Sequence, residues 1–178
     1  QFQQVQKKSA VFDEKKLLWI SQQHLSEMNV RDLMSEIYAL SPGWGDGLEW
    51  DYLKEVVKLI KDRCKTIKEV ATMSELFFAD KIDYDPDLLS KTFNNESIEI
   101  IKDFHTALNA VEDWSRVELE NIFENIMEQH EVVIGKVMKP IRVALSGIPF
   151  GPGIFDLILL LGKDVCLRRL RHTLSEIE

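Results

Sequence analysis

Apolar residues recur along this chain at intervals of three and four and nowhere in sustained alternation, a pattern that predicts helices and no sheet. In "FDEKKLLWISQQHLSEM" one face carries Leu17, Ile20, His24 and Met28, with Leu18 and Leu25 beside it and Asp13 as N-cap. "NVRDLMSEIYAL" places Val30, Leu33, Ile37 and Leu40 in register behind an Asn29 cap. "SPGWGDG" then stops the pattern, with three glycines and a proline in seven residues. "LEWDYLKEVVKLIKDR" resumes it, turning Leu53, Val56, Val57 and Ile60 inward, and "TIKEVATMSELFFAD" follows from Thr66, with Glu69 completing a capping box.

"DYDPDLL" reads as a turn and marks a boundary between two helical subdomains. Beyond it, "NESIEIIKDFHTALNAVEDW" and "SRVELENIFENIMEQH" are two longer amphipathic helices, the second opened by a Ser115–Glu118 box. The pattern then shortens. Pro140 suits a first helical turn, which makes "PIRVALSG" a short helix ending at Gly147, with Ile141, Ala144 and Leu145 inward. "KDVCLRRLRHTL" closes the chain, with Val165, Leu167, Leu170 and Leu174 as buried positions. The fold class is all-α, with no internal repeat.

Composition adds limits. At 178 residues, 45% apolar and 29% charged, the chain is an ordinary globular one. Its longest apolar run, "IFDLILLLG", is broken by Asp156 and far short of a membrane span. "QFQQVQKKSA" lacks the apolar core of a signal peptide, and the absence of an initial Met points to a fragment. Cys64 and Cys166 stand far apart, so a reducing, cytoplasmic setting is expected.

Charge changes the picture more. The net charge is -8, yet residues 132–172 carry seven Lys/Arg (136, 139, 142, 163, 168, 169, 171) against two acids (156, 164). Either this segment presents a face to an anion, or its cations complement the dipole of a terminal helix. Arg142, near the start of a short helix, would oppose that dipole. It therefore wants an internal carboxylate or an outside anion.

No catalytic constellation appears. His24, His105, His130 and His172 are scattered without a ligand pair, and His24 and His105 read as packed or boundary residues. No Walker loop, GxGxxG or GxSxG occurs, and "GPG" at 151–153 is too short to cradle a triphosphate. Trp44, Trp50 and Trp114 read as closures of helix junctions rather than base-stacking platforms.

"AVFDEKKLLWISQQHL", "RCKTIKEV", "VEDWSRVELENIFENI" and "GKVMKPIRVALSGIPFGPGIFDLILLLGKDVCLRRL", in this order, resemble the C-terminal part of bacterial-type glutamyl-tRNA synthetases, class I enzymes. The resemblance runs from about residue 10 to the end. Neither the HIGH-type nor the KMSKS-type signature occurs, so the chain resembles an excised piece without the catalytic domain, inactive alone. The resemblance implies a two-part helical anticodon-binding cage: the end of a stem-contact region at 1–28, then subdomains at 29–82 and 83–178. It implies a monomeric cytoplasmic protein whose partner is the tRNA-Glu anticodon loop. This chain would hold no cofactor; ATP and Mg2+ would belong to the parent ligase's catalytic domain.

Site residues follow one at a time. Arg142 in "KPIRVALSG" matches the arginine reading the first anticodon base, and Gly151 and Ile154 in "GPGIF" match loop positions around the middle base. Arg63 in "DRCKTIKE" matches the reader of the third base, where arginine accompanies enzymes that reject tRNA-Gln. Lys16 and Trp19 match positions near the tRNA body. Gly151 lacks the side chain some relatives carry there, so any contact it makes would be through backbone, while Ile154 would offer an apolar surface to a base. The chemistry is coherent: a guanidinium fork fits the N3 and O2 acceptors of cytosine, whereas adenine presents a donor on the same edge. Two alternatives remain, a helical docking module that has lost anticodon reading and a relaxed module accepting both tRNA-Glu and tRNA-Gln.

Overall fold

The computed structural model describes residues 13–177, and within them the chain is all-helical. The first twelve residues of the expected stem-contact region lie outside the described residues. The first four helices are α1 (Glu14–Glu27), α2 (Val30–Leu40), α3 (Trp50–Ile60) and α4 (Ile67–Phe78), with a 3-10 turn at Lys61–Arg63 between the last two. After them come α5 (Pro86–Thr92), α6 (Asn95–Ala110), α7 (Arg116–His130), α8 (Ile134–Ser146), α9 (Ile154–Leu161) and α10 (Lys163–Ile177). Helices α2, α3 and α4 pack on one another, α6, α7, α8 and α10 form a second group, and α9 touches α3, α7, α8 and α10. A single buried cluster runs through both groups, from Leu25 to Leu170.

The expected caps form. Asp13, Asn29, Thr66 and Ser115 each accept a backbone N–H from the first turn of their helices. Glu69, however, accepts from the N–H of Lys65 rather than that of Thr66, so its half of the box closes one residue early. The reciprocal box belongs to Asn94 and Ser97 at the start of α6. Trp44 closes a junction, with its indole N–H on Ser74 Oγ at 2.6 Å and its ring edge-on to Tyr38 and Phe78. Trp114 donates to the Leu159 carbonyl, while Trp50 remains 46% exposed, stacked on Tyr38.

Four sequence expectations change. "DYDPDLL" is not only a turn: Asp85 caps α5, and Pro86 occupies its first turn, where its missing N–H costs nothing. Pro140 is not at a helix start. Helix α8 begins six residues earlier, because Ile134–Lys139 already follow the helical path and burial of Val137, Pro140 and Ile141 holds the proline inside. Helix α1 does not bury the face expected of it. Leu17 and Ile20 are 49% and 48% exposed, because only its C-terminal end meets the body, through Leu25 and through Lys61, whose Nζ donates to the carbonyls of Ser26 and Met28. Leu40, expected inward, is 62% exposed at the end of α2, just before the chain leaves into the glycine loop.

At the centre lies Arg169, 1% exposed, with no carboxylate against it. One Nη donates to the carbonyl of Leu145 and the other to that of Ala79, each at 2.7 Å. These carbonyls belong to the C-terminal ends of α8 and α4, which lack helical N–H partners and carry the negative end of the helix dipole. Beside it, Tyr84 Oη donates to the Ala144 carbonyl and accepts from Thr173 Oγ1. Helix α10 thus completes α8 and reaches across to α4. Arg169→Met should leave both carbonyls buried and unpaired, lowering unfolding free energy by about 2–4 kcal/mol in urea melts. Arg169→Lys, with a single ammonium in place of the fork, should recover only part of it.

Candidate anticodon-binding site

Between the 3-10 turn, α4 and the loop after α8 lies an open cleft of about 730 Å³, lined by Arg63, Thr66, Lys68, Glu69, Thr72, Met73, Leu76, Ile148, Phe150 and Gly151. The α4 wall follows from helical spacing: Glu69, Thr72, Met73 and Leu76 stand at i, i+3, i+4 and i+7, one stripe along the helix. The opposite wall is the loop 147–153. Gly147 ends α8 in the left-handed conformation (φ +72), and a Cβ there would come within 2.6 Å of Ile82 Cγ2. Gly151 has φ +135, a region open to glycine and strained for other residues, and it turns the loop beneath Arg142.

Of the expected site residues, three converge. Arg63 and Gly151 line the cleft, and Arg142 Nη1 lies 3.7 Å from where a Cβ on Gly151 would stand. Arg142 is the ninth of the 13 residues of α8, not near its start, so the expected conflict with the helix dipole does not arise. It is half-buried, and its Nη1 donates to the Pro152 carbonyl at 2.6 Å. Its internal partner is therefore a carbonyl and not a carboxylate. Burial first, and then the nearby Arg63, lower its pKa. The two guanidinium groups thus repel each other, which an anion or an electron-rich acceptor between them would relieve. Arg63 makes no hydrogen bond or ion pair among the described residues; Glu69, the acid in the cleft, is occupied by the Lys65 N–H.

The others lie elsewhere. Ile154 is the first residue of α9 and 3% exposed, so its side chain belongs to the core and offers no face to a ligand. The exposed apolar surface at this loop is Phe150, at 62%, with Ile148 behind it. Lys16 and Trp19 are exposed on the free part of α1 and do not line the cleft. Sequence reasoning missed Phe150, although it stands inside "IPFGPG": an aromatic ring in a Pro/Gly loop cannot bury itself in a helix face. The α4 stripe was read only as a helix.

Among the described residues no group of three or more His, Cys, Asp or Glu side chains could hold a metal, and no helix is long and apolar enough to cross a membrane. An all-helical domain with a cleft of paired guanidiniums and apolar walls has the build of a binding module for a flat, electron-rich ligand. The chain belongs to the anticodon binding domain family, which its residues 23–174 match. It is 28% identical over 178 residues to the glutamate–tRNA ligase of Thermodesulfovibrio yellowstonii, covering 97% of this chain and 38% of that protein. It is 30% identical over 173 residues to that of Flavobacterium psychrophilum, covering 97% and 34%. The fold matches the crystal structure of a glutamate tRNA ligase from Elizabethkingia meningosepticum in complex with its amino acid, with TM-score 0.78 at 22% identity, over 94% of this chain and 33% of that one. The chain thus spans about a third of the length of these relatives.

The root of the cleft is set by Cys64, buried directly after Arg63 with its Sγ 4.0 Å from the Met73 sulfur. Burial, with Glu69 adding to it, pushes its thiol up to about 11, and burial pushes that of Cys166 up to about 12. The fold therefore favours both thiols protonated. That contribution is complete below pH 9 and is lost as pH rises from there through 11–12. Tyr52 and Tyr84, raised chiefly by burial, act in the same direction. Urea midpoints should hold between pH 7 and 9 and fall above it, and Cys64→Ala/Cys166→Ala should shallow that fall.

Proposed function

We propose that this chain is the anticodon-reading part of a glutamate–tRNA ligase and that its cleft takes bases of the tRNA-Glu anticodon loop. The observation that carries this reading is Arg63: an arginine with no hydrogen-bond or ion-pair partner among the described residues, in the lining of an apolar cleft and near a second arginine. Anticodon bases are single-stranded and can be splayed out, leaving their Watson–Crick edges free. If the third base is cytosine, its adjacent N3 and O2 acceptors take two N–H groups of the Arg63 fork. Adenine there would turn an amino group toward the guanidinium, at a cost of about 1–3 kcal/mol. Guanine, the base tRNA-Gln carries at this position, would likewise turn donors, its N1–H and N2 amino group, toward the guanidinium, so Arg63 selects tRNA-Glu against tRNA-Gln.

Arg142 reads the first base. Its bond to Pro152 fixes one edge of the guanidinium and leaves the other edge to the ligand. Gly151 contributes backbone toward the middle base, and Ile154 supports the loop from the core rather than by a surface of its own. Lys16 and Trp19, exposed on α1, contact the tRNA body. The parent protein, a cytoplasmic monomer in this reading, activates glutamate with ATP and Mg2+ in its catalytic part. This chain adds selection, converting anticodon identity into placement of the distant acceptor end.

The test is binding of the 178-residue chain to a tRNA-Glu anticodon stem-loop carrying C or A at the third anticodon position. The wild type should prefer C by about 5- to 150-fold, the ratio that corresponds to the mismatch cost above. Arg63→Gln should abolish most of the preference. Equal binding of C and A by the wild type would defeat the assignment of Arg63. Phe150→Ala should weaken binding of both RNAs alike, by about 5- to 100-fold, because stacking on a ring is indifferent to the base.

A further inference from the structure

Two cations of the basic segment have no role in the cleft. Lys136 and Lys139 precede Arg142 on α8 at steps of three residues, so the three form a ridge that drifts around the helix over about 9 Å of its length. At its far end is a second, smaller groove of about 230 Å³ between α5, α6 and α8, lined by Lys91, Thr92, Asn94, Glu96, Ser97, Gly135, Lys136, Lys139 and Pro140. Lys91 and Lys139 make no hydrogen bond or ion pair among the described residues, and both are exposed. Lys136 meets Glu96, the acid in this lining, only at 3.6 Å, with both side chains largely in solvent. The helix end below adds little, since the first-turn N–H of Ser97 is already taken by Asn94.

We infer that Lys136, Lys139 and Lys91 form a phosphate track that leads an RNA backbone away from the cleft. The inference rests on the reading of the cleft as an anticodon site. Three things favour RNA over a free anion. The ridge is continuous with Arg142. Its length of about 9 Å suits a short stretch of charged backbone rather than a single small anion. Its lysines are point charges on flexible stems, suited to phosphates of variable position rather than to one fixed ligand. The remainder of the chain is acidic, so a strand that left the cleft in another direction would meet repulsion.

The experiment compares Lys136→Gln/Lys139→Gln with Lys54→Gln/Lys58→Gln, a pair of equal charge change on the outer face of α3. Both are titrated with the same stem-loop RNA between 20 and 300 mM KCl, conditions chosen to resolve roughly one to two phosphate contacts. The track variant should lower the slope of log K against log salt by about 1.4–1.8 and weaken binding at low salt about 10-fold or more. Its preference for C over A should be unchanged. The α3 pair should alter neither. A track variant whose slope and affinity equal those of the wild type overturns the inference, as does an equal fall in the α3 pair. So does a wild type that binds no RNA at 20 mM. A wild type without C-over-A preference whose slope still drops only in the track variant defeats the assignment of Arg63 and upholds the track. Thermal melts confirm that both pairs of substitutions leave the fold intact.

Discussion

Every helix that stops inside a folded body leaves carbonyls without N–H partners, and this domain meets that constraint repeatedly with cations from elsewhere in the chain. Lys61 seats on the end of α1, Lys163 on the end of α6 through the carbonyls of Asn109 and Val111, and Arg169 on the ends of α4 and α8 together. Arg169 carries the most, because nothing else beneath the surface supplies a donor at both places. A buried guanidinium without a carboxylate would be prohibitive in hydrocarbon. Here it lies between two sets of oriented carbonyl dipoles, which stand in for a counter-ion. Burial still lowers its pKa, but a guanidinium starts so far above neutrality that its charge persists.

The cleft inherits its shape from that tie. One wall is the stripe along α4 and the other is the loop that leaves α8, and Arg169 holds the C-terminal ends of both helices. Tyr84, bonded to the Ala144 carbonyl and to Thr173, and Ile82, packed against Gly147, pin the connecting segment to the same place. The arginines at the cleft are thus carried on a frame whose two sides cannot separate without breaking buried hydrogen bonds. That is the condition for reading a base by its edge, since a guanidinium fork displaced by an ångström no longer distinguishes acceptor from donor.

Much of this was legible from the sequence, and the gaps have definite causes. Helix content, most boundaries, the caps at Asp13, Asn29, Thr66 and Ser115, and inward positions such as Leu53, Val57, Ile60 and Leu145 follow from spacing alone. Periodicity says which face is apolar but not whether a partner exists to cover it, hence the exposed Leu17 and Ile20. Proline reads as a helix start more readily than as an interior residue, so α8 was cut short and Arg142 was assigned the wrong end of the dipole. Ile154 matched a loop motif by position, but the first residue of the following helix faces the core, and Phe150, four residues earlier, takes the exposed place. The resemblance singles out Arg63 and Arg142 one at a time; their proximity is tertiary, and no spacing in the chain shows it.

The basic segment illustrates why charge must be followed to its partners before it is interpreted. Two explanations stood open for its seven cations, complementing a helix dipole or meeting an anion, and the fold divides the residues between them. The four on α10 each meet a partner within the chain. Lys163 and Arg169 cap other helices, Arg168 approaches Asp80 at 3.6 Å, and Arg171 folds back on the Leu167 carbonyl. Only Lys163 and Arg169 answer helix dipoles, and those belong to neighbouring helices rather than to α10 itself. The three on α8 are different, since between them they find one distant carboxylate and one carbonyl. Net charge alone would dismiss an acidic protein as an RNA binder. What matters is the charge left over after internal partners are satisfied, and on α8 that remainder is positive and runs from Arg142 beside the cleft to the groove at Lys136.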